Sequence, residues 1–336
     1  MPPIPNKMWA ASLVSLAMLS PLDLASTTAA APTPGRITGW GDSVCCWPEI
    51  PAGDDFVAID AGFVHNLALR SDGSIVTWGD NTWGQTNAPT GTGFKAIAAE
   101  QAYNVAIKSD GSLVGWGLFG SFNATLPSGN NFVDVDLGFY HGLALRSDGS
   151  LAAWGENGHG QATVPAGHDF AAIAAGYFFN LALKTDGSIV GWGYNGFGQI
   201  NVPAGNDFVA ISAGENTALA LRTDGSLVSW GFKGFDENSN IITGLLDVPA
   251  GNDFTAIDVG RNWSVALRAD GSLISWGDNP FEAPSGHGFV AIATGSDGIG
   301  LAIRAVPEPG SIQLLFLGAI ATIGSVRFQR TFVNRT

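Results

Sequence analysis

The chain has 336 residues, a formal net charge of −14, and only 13% charged residues. An acidic, lightly charged, glycine-rich surface argues against nucleic acid as a partner, because phosphates require a basic patch. The only two cysteines, Cys45 and Cys46, are neighbours. They make neither a disulfide framework nor a zinc site, and read as small apolar residues in a variable loop.

Residues 1–31 read as a secretory signal. Lys7 precedes an apolar run from Met8 to Leu19, and Ala29, Ala30 and Ala31 supply small residues for cleavage.

From there a Trp-Gly pair recurs at Trp40, Trp78, Trp116, Trp154, Trp192, Trp230 and Trp276. The first six are 38 residues apart and the last step is 46. A period of that length marks a repeat architecture. One copy holds three short apolar runs: strand a (Phe56–Ile59), strand b (Leu67–Arg70) and strand c (Ile75–Trp78). Ser71-Asp72-Gly73-Ser74 separates the last two, and Asp-Gly between apolar runs predicts a type I′ hairpin. Pairing Ser71 with Ser74 would set Leu69 opposite Val76 and Leu67 opposite Trp78, four bulky residues on one face. Ala68 and Thr77 would make the other face shallow. A three-stranded sheet cannot bury both faces alone, so bulky sides must stack into shallow sides around a ring.

The seventh copy has strand a (Phe289–Ile292) and strand b (Leu301–Arg304) but no strand c. Arg36-Ile-Thr-Gly-Trp40-Gly matches a strand c with no copy before it. The N-terminal strand should therefore close the ring. The expected fold is all-β, a seven-bladed β-propeller over residues 36–305, with blades of three strands or possibly a fourth.

The C-terminal segment, 306–336, reads differently. Val306-Pro307-Glu308-Pro309-Gly310 precedes an uncharged run from Ser311 to Val326, then Arg327 and Arg330. The run suits a short membrane helix at about 311–328, extended by snorkelling arginines. Pro307, Glu308 and Pro309, the apolar helix, and Arg327 with Arg330 together resemble the PEP-CTERM sorting tail of Gram-negative bacteria. That resemblance implies export, a transient inner-membrane anchor, cleavage by an exosortase-type enzyme, and release to the cell surface or extracellular matrix. The membrane is met only through this helix.

The repeat itself resembles a known family. Trp-Gly-x-Asn-x-x-Gly-Gln, Val-Pro-Ala-Gly, Ala-Gly-x-x-His and Leu-Ala-Leu-Arg-Ser-Asp-Gly-Ser are similar to the regulator of chromosome condensation repeat. The short copy length is nearest to bacterial members such as β-lactamase inhibitory protein II. The resemblance implies a propeller that binds a partner, and does not supply which one.

Repeated residues build the scaffold, so function is expected where copies differ. Because strands alternate in direction, the a–b loops and the segments after Trp-Gly share one end, and the Asp-Gly hairpins lie at the other. The first end offers Phe63, Phe139, Tyr140, Tyr177, Phe178 and Arg261 on its a–b loops. Its post-Trp loops add Trp83, Phe119, Tyr194, Phe197, Phe232 and Phe235, together with His159. Exposed aromatics on a polar background suit protein or carbohydrate recognition. By contrast, His65, Tyr103, His141, Phe179 and Trp263 are expected to point into the packed face. Gln85, Gln161 and Gln199 should satisfy loop backbone groups, and the hairpin aspartates are explained by their turns.

No nucleophile elbow, zinc-binding helix motif or phosphate loop is present. The leading expectation is an exported, monomeric, non-enzymatic propeller without cofactor or metal, binding an unidentified protein or glycan. Two alternatives stand beside it. One is a carbohydrate-active enzyme using carboxylates such as Glu156, Glu215, Asp236 and Glu237. The other is a purely structural matrix component.

Overall fold

A computed structural model describes residues 32–41, 50–118, 125–232, 246–277, 282–295 and 298–306. The expected signal, Cys45 and Cys46, Phe119, Phe235, Asp236, Glu237 and the sorting tail with Pro307, Glu308, Pro309, Arg327 and Arg330 lie outside the described residues. Among the described residues there are 21 strands and no helix, hence none long and apolar enough to cross a membrane.

Strand β1 (Gly35–Gly41) precedes the repeats. These follow as β2 (Phe56–Ala61), β3 (His65–Arg70), β4 (Ile75–Gly79); β5 (Phe94–Glu100), β6 (Tyr103–Lys108), β7 (Leu113–Gly117); and β8 (Phe132–Leu137), β9 (His141–Arg146), β10 (Leu151–Gly155). Next come β11 (Phe170–Ala175), β12 (Phe179–Lys184), β13 (Ile189–Gly193); β14 (Phe208–Ala213), β15 (Thr217–Arg222), β16 (Leu227–Gly231); and β17 (Phe254–Val259), β18 (Trp263–Arg268), β19 (Leu273–Gly277). The last copy contributes β20 (Phe289–Thr294) and β21 (Ile299–Ala305). β1 pairs antiparallel with β21 along its whole length, from Gly35↔Ala305 to Gly41↔Ile299. The N-terminal strand thus completes the last sheet. One further pair, Gly35↔Phe56, joins this sheet to the first repeat as a six-stranded sheet; the other strands form five sheets of three. The leading strands β2, β5, β8, β11, β14, β17 and β20 pack against one another in that order, and β20 packs against β2.

The hairpin departs from the expected type I′ turn. Arg70 N–H donates to the Ser74 carbonyl at 2.9 Å, and Gly73 N–H to the Arg70 carbonyl at 2.9 Å. The loop is therefore three residues, and only Gly73 is left-handed (φ +80°). The Asp72 carboxylate accepts Ser74 N–H at 2.8 Å, which holds Asp72 in an ordinary turn conformation. The register moves by one residue: Leu69 faces Ile75, Ala68 faces Val76, Leu67 faces Thr77 and Asn66 faces Trp78. Tryptophan accordingly shares a face with the invariant alanine, not with the leucines.

This correction explains the inter-sheet core. Leu67 and Leu69 pack on Ala106 and Trp116 of the next sheet, together with Phe94 and Ile97. Leu143 and Leu145 meet Ala182 and Trp192 in the same way. Each buried leucine contributes about 1.5–3 kcal/mol. Alanine at the repeated position lets a neighbouring leucine face approach, while the tryptophan beside it fills the outer part of the gap.

Near the axis the a–b loops converge on glycines. A Cβ at Gly138 would overlap the His141 ring and the Gly176 carbonyl. At Gly176 it would lie 2.7 Å from the Gly214 carbonyl oxygen, and at Gly214 it would overlap that of Gly260. At Gly260 it would meet the Gly295 oxygen at 3.2 Å, and at Gly295 the Gly62 oxygen at 2.8 Å. None of these glycines has positive φ; close approach, not backbone twist, excludes a side chain. One copy breaks the pattern: Glu100 stands where the others carry glycine.

Candidate functional site: the aromatic end of the ring

The repeat fixes its loops to one another before any unique residue is added. Each post-Trp segment starts on an a–b loop: Asp80 N–H donates to the Val64 carbonyl, Glu156 to Tyr140 and Tyr194 to Phe178, each at 2.9 Å. Beneath them His65 Nε2 meets Asn104 Oδ1 of the next sheet at 2.5 Å, and Asn104 Nδ2 donates to the Gln85 carbonyl at 2.9 Å. His141, Asn180 and Gln161 repeat this link. Burial lowers the His141 pKa to about 4 and lowers that of His65, so both imidazoles are neutral at pH 7. His65, Tyr103, His141, Phe179 and Trp263 are all buried. Gln85, Gln161 and Gln199 accept the loop amides of Trp83, His159 and Phe197. These residues belong to the scaffold.

Above this scaffold the variable aromatics touch one another. Tyr140 packs on Phe139 (ring centroids 3.9 Å apart), and Phe139 stacks on Tyr177 at 3.8 Å. Tyr177 meets Phe178 edge-on at 4.8 Å, and Phe178 meets His159 at 5.4 Å. His159 continues to Tyr194 at 4.9 Å, Tyr194 to Phe197 at 6.0 Å and Phe197 to Phe232 at 4.5 Å. The series links a–b loops of two copies to post-Trp loops of three, and forms a ridge across several sheets. Its members are half-buried or exposed, with Phe197 at 42%. Trp83 is 57% exposed on the post-Trp loop of the first copy.

Phe63 and Arg261 sit elsewhere on this end, around the axis. They line a depression of about 260 Å³ with Phe139, Tyr177, Glu100, Gln101 and Glu215. Arg261 Nε donates to Glu215 at 2.8 Å. Burial, followed by Glu215 and Tyr140, pushes the Tyr177 hydroxyl up to about 12, so it stays a donor. Gln101 has φ +47°, the one left-handed non-glycine among the described residues. This follows from Glu100: β5 runs one residue further and pairs Glu100 with Tyr103 before the chain turns.

Sequence reasoning missed three carboxylates below this mouth. Asp60, Asp136 and Asp258 occupy one position of the leading strands, where other copies have Ala98, Ala174, Ser212 and Ala293. They reach across to the next sheet. Asp60 accepts Ala99 N–H at 2.8 Å, Asp136 accepts Ala175 N–H at 2.8 Å, and Asp258 accepts both Thr294 N–H and its hydroxyl. Ser212 accepts Val259 N–H and donates to Asp258. The three are surrounded by protein yet keep partial exposure. Burial raises all three pKa values, that of Asp136 to about 7; repulsion from Asp258 and Glu100 adds to the Asp136 shift, and repulsion from Asp136 and Asp258 to that of Asp60. The signal was available: an aspartate breaks an otherwise apolar strand in Ile59-Asp60-Ala61 and Ile257-Asp258-Val259. Among the described residues no group of three or more potential ligands gathers as a metal site.

Residues 56–85, 132–161, 170–199 and 208–236 match the regulator of chromosome condensation repeat. No curated protein matches the chain significantly. Among solved structures, it is similar to Prp20p from Saccharomyces cerevisiae at 19% identity and a TM-score of 0.66, covering 86% of this chain and 95% of that one. Human WBSCR16 is similar at 15% identity and a TM-score of 0.62, with 80% and 98% covered. The CRINKLY WD40 ectodomain of the Arabidopsis thaliana receptor kinase ACR4 follows at 20% identity and a TM-score of 0.58, with 77% and 91% covered. At these identities the likeness concerns the fold. Four segments of the chain match this repeat, and the fold is that of a β-propeller similar to these structures.

Proposed function

We propose that this chain is a non-enzymatic, seven-bladed propeller that binds a protein partner through its aromatic end. In this reading β20, β21 and β1 count as one blade. The observation that carries it is the ridge from Tyr140 to Phe232: adjoining variable rings, gathered from five loops, above the repeated scaffold. Half-exposed tyrosine and phenylalanine offer large contact area at low entropic cost. Proteins of this fold bind proteins: Prp20p is described with binding to Gsp1p and histones, and was crystallised bound to Kap60. The partner here is a different one, because the N- and C-terminal segments point to export and sorting to the cell surface or matrix by an exosortase-type enzyme.

Tyr177→Ala combined with Phe178→Ala tests the ridge. Capture from native extracellular matrix by the purified chain should fall by about 30-fold or more, roughly 2 kcal/mol, with the unfolding midpoint nearly unchanged. Prior protease treatment of the matrix should abolish capture. Undiminished capture by the double variant, or capture that survives protease but not glycan removal, would replace this reading.

A further inference from the structure

The ridge holds one ring unlike the rest, and the inference drawn from it rests on the protein-binding reading above. We propose that His159 is a specificity-determining contact of the ridge and makes partner capture depend on pH, because the partner accepts its imidazole only in the neutral form. Trp83, His159 and Phe197 occupy one position of the post-Trp loop, each with its amide held by the glutamine two residues on. An indole or a phenyl ring keeps one character at every pH. Histidine is the side chain that gains a proton and a charge between about pH 5 and 8.

Its place in the ridge makes that difference count. The His159 ring lies 5.4 Å from that of Phe178 and 4.9 Å from that of Tyr194, and so joins the a–b loop rings to the post-Trp rings. A partner laid along the ridge from Tyr177 to Phe197 must cover it. The residue is exposed, and its ring nitrogens enter no hydrogen bond among the described residues. The loop that carries it is fixed beforehand. Asn157 Oδ1 accepts the Ala162 amide at 2.9 Å, Asn157 Nδ2 donates to Thr163 Oγ1 at 3.1 Å, and Gly160 N–H donates to the Asn157 carbonyl at 3.1 Å. The imidazole is thus held in position before a partner arrives, which lowers the ordering cost of binding.

Covering an imidazolium costs more than covering a neutral imidazole, so burial under a partner favours loss of the proton. The loops around His159 offer little to reverse that preference. Residues 138–141, 156–163, 176–179 and 194–201 contain no lysine or arginine, and their other titratable groups are Glu156, His141, Tyr140, Tyr177 and Tyr194. His141 is buried in the scaffold and neutral, and the Tyr177 hydroxyl is pushed up to about 12. Glu156 is the one carboxylate of these loops and is exposed, where water screens its attraction. Capture is therefore strong where imidazole is neutral and weakens as pH falls through the range in which it protonates.

The experiment measures protease-sensitive capture from native extracellular matrix by the immobilised full chain at pH 7.5, 6.5 and 5.5. Wild-type affinity should fall about tenfold from the first to the last. His159→Phe places here the ring that the next copy carries at Phe197, so it keeps the fold and the line of rings. Its affinity should change by less than about threefold over the same range. Glu156→Gln should keep the wild-type profile. A pH-independent wild type, the wild-type profile in His159→Phe, its loss in Glu156→Gln, or tighter wild-type capture at pH 5.5 would each overturn the proposal. If one of these occurs while the Tyr177 and Phe178 double variant still loses its partner, the ridge stands and only the role of His159 falls. If the double variant keeps its partner, the protein-binding reading of the ridge falls first.

Discussion

The two ends of this ring are made by the same repeat, yet they spend it differently. At the hairpin end the six copies that carry the turn do one thing. Asp72, Asp110, Asp148, Asp186, Asp224 and Asp270 each accept the amide of the serine two residues on, at 2.8–3.0 Å. The hydroxyls of those serines, together with these amides, hold their carboxyls below the usual range. Arg70 lies over Phe56 and pairs with Asp55; Arg222 and Arg268 do the same with Phe208 and Asp207, and with Phe254 and Asp253. This end consumes its own polar groups. At the other end the backbone framework is equally regular, but the tips differ by copy and form the ridge and the axial mouth. Repetition marks what the fold uses; variation marks what it leaves available.

The strongest way to break this comparison is at the axial glycines. Gly138→Ala places a methyl group into the Gly176 carbonyl and the His141 ring, and backbone cannot yield as a flexible side chain would. We expect a loss of roughly 2–3 kcal/mol, read as a lower denaturant midpoint at unchanged slope. Glu100→Gly, at the matching position, should leave the midpoint almost unmoved. An unperturbed Gly138→Ala would mean that the ring has room at its centre, and the special status of Glu100 would disappear. The loss of partner capture in the Tyr177 and Phe178 double variant, about 2 kcal/mol, ranks next and concerns binding rather than stability.

The two ends should also respond to pH with opposite sign. The Asp136 pKa is raised to about 7 in the folded chain and relaxes to the ordinary carboxylate value on unfolding. Folding therefore binds a proton within that window. The stability it contributes is complete below about pH 4 and is lost as pH rises through about 7. The hairpin aspartates are shifted down, so their contribution is present above the ordinary carboxylate value and lost as pH falls. Asp136→Asn keeps an acceptor for the Ala175 amide and removes the charge. It should raise the thermal midpoint more at pH 8 than at pH 5; an equal rise at both would show that Asp136 does not titrate in that window.

Much of this was legible in the sequence because a repeat compares each residue with its counterparts. The missing strand c after Leu301–Arg304 and the orphan strand at Trp40 pointed to closure, and β1 on β21 delivers it. The hairpin register was not legible. Asp-Gly is compatible with a two-residue or a three-residue loop, and the choice rests on the Asp72–Ser74 hydrogen bond and a single left-handed glycine. The candidate aromatics could be named one by one, but their contacts depend on loops from different copies meeting in space. Glu100 is legible as the one copy without glycine at its position, but its place at the axis depends on ring closure. The axial aspartates escaped for a related reason: charged residues at alternating strand positions read as solvent-facing, and only ring closure turns that face inward.

The smallest expected effect is the sharpest check on which end does what. Asp72→Ala removes the bond to the Ser74 amide, but that amide lies in solvent and water replaces the carboxylate. The Arg70–Ser74 closure and left-handed Gly73 remain to hold the three-residue loop. The thermal midpoint should fall by only about 1–2 °C, and the same change at Asp148 or Asp224 should behave alike, because the copies are equivalent here. Partner capture should stay at wild-type levels in all three variants, since these residues lie at the far end of the strands. A variant at one hairpin that lost binding while its counterparts kept it would reveal a unique function at the uniform end. Variation among copies would then no longer be a reliable guide to where this propeller meets its partner.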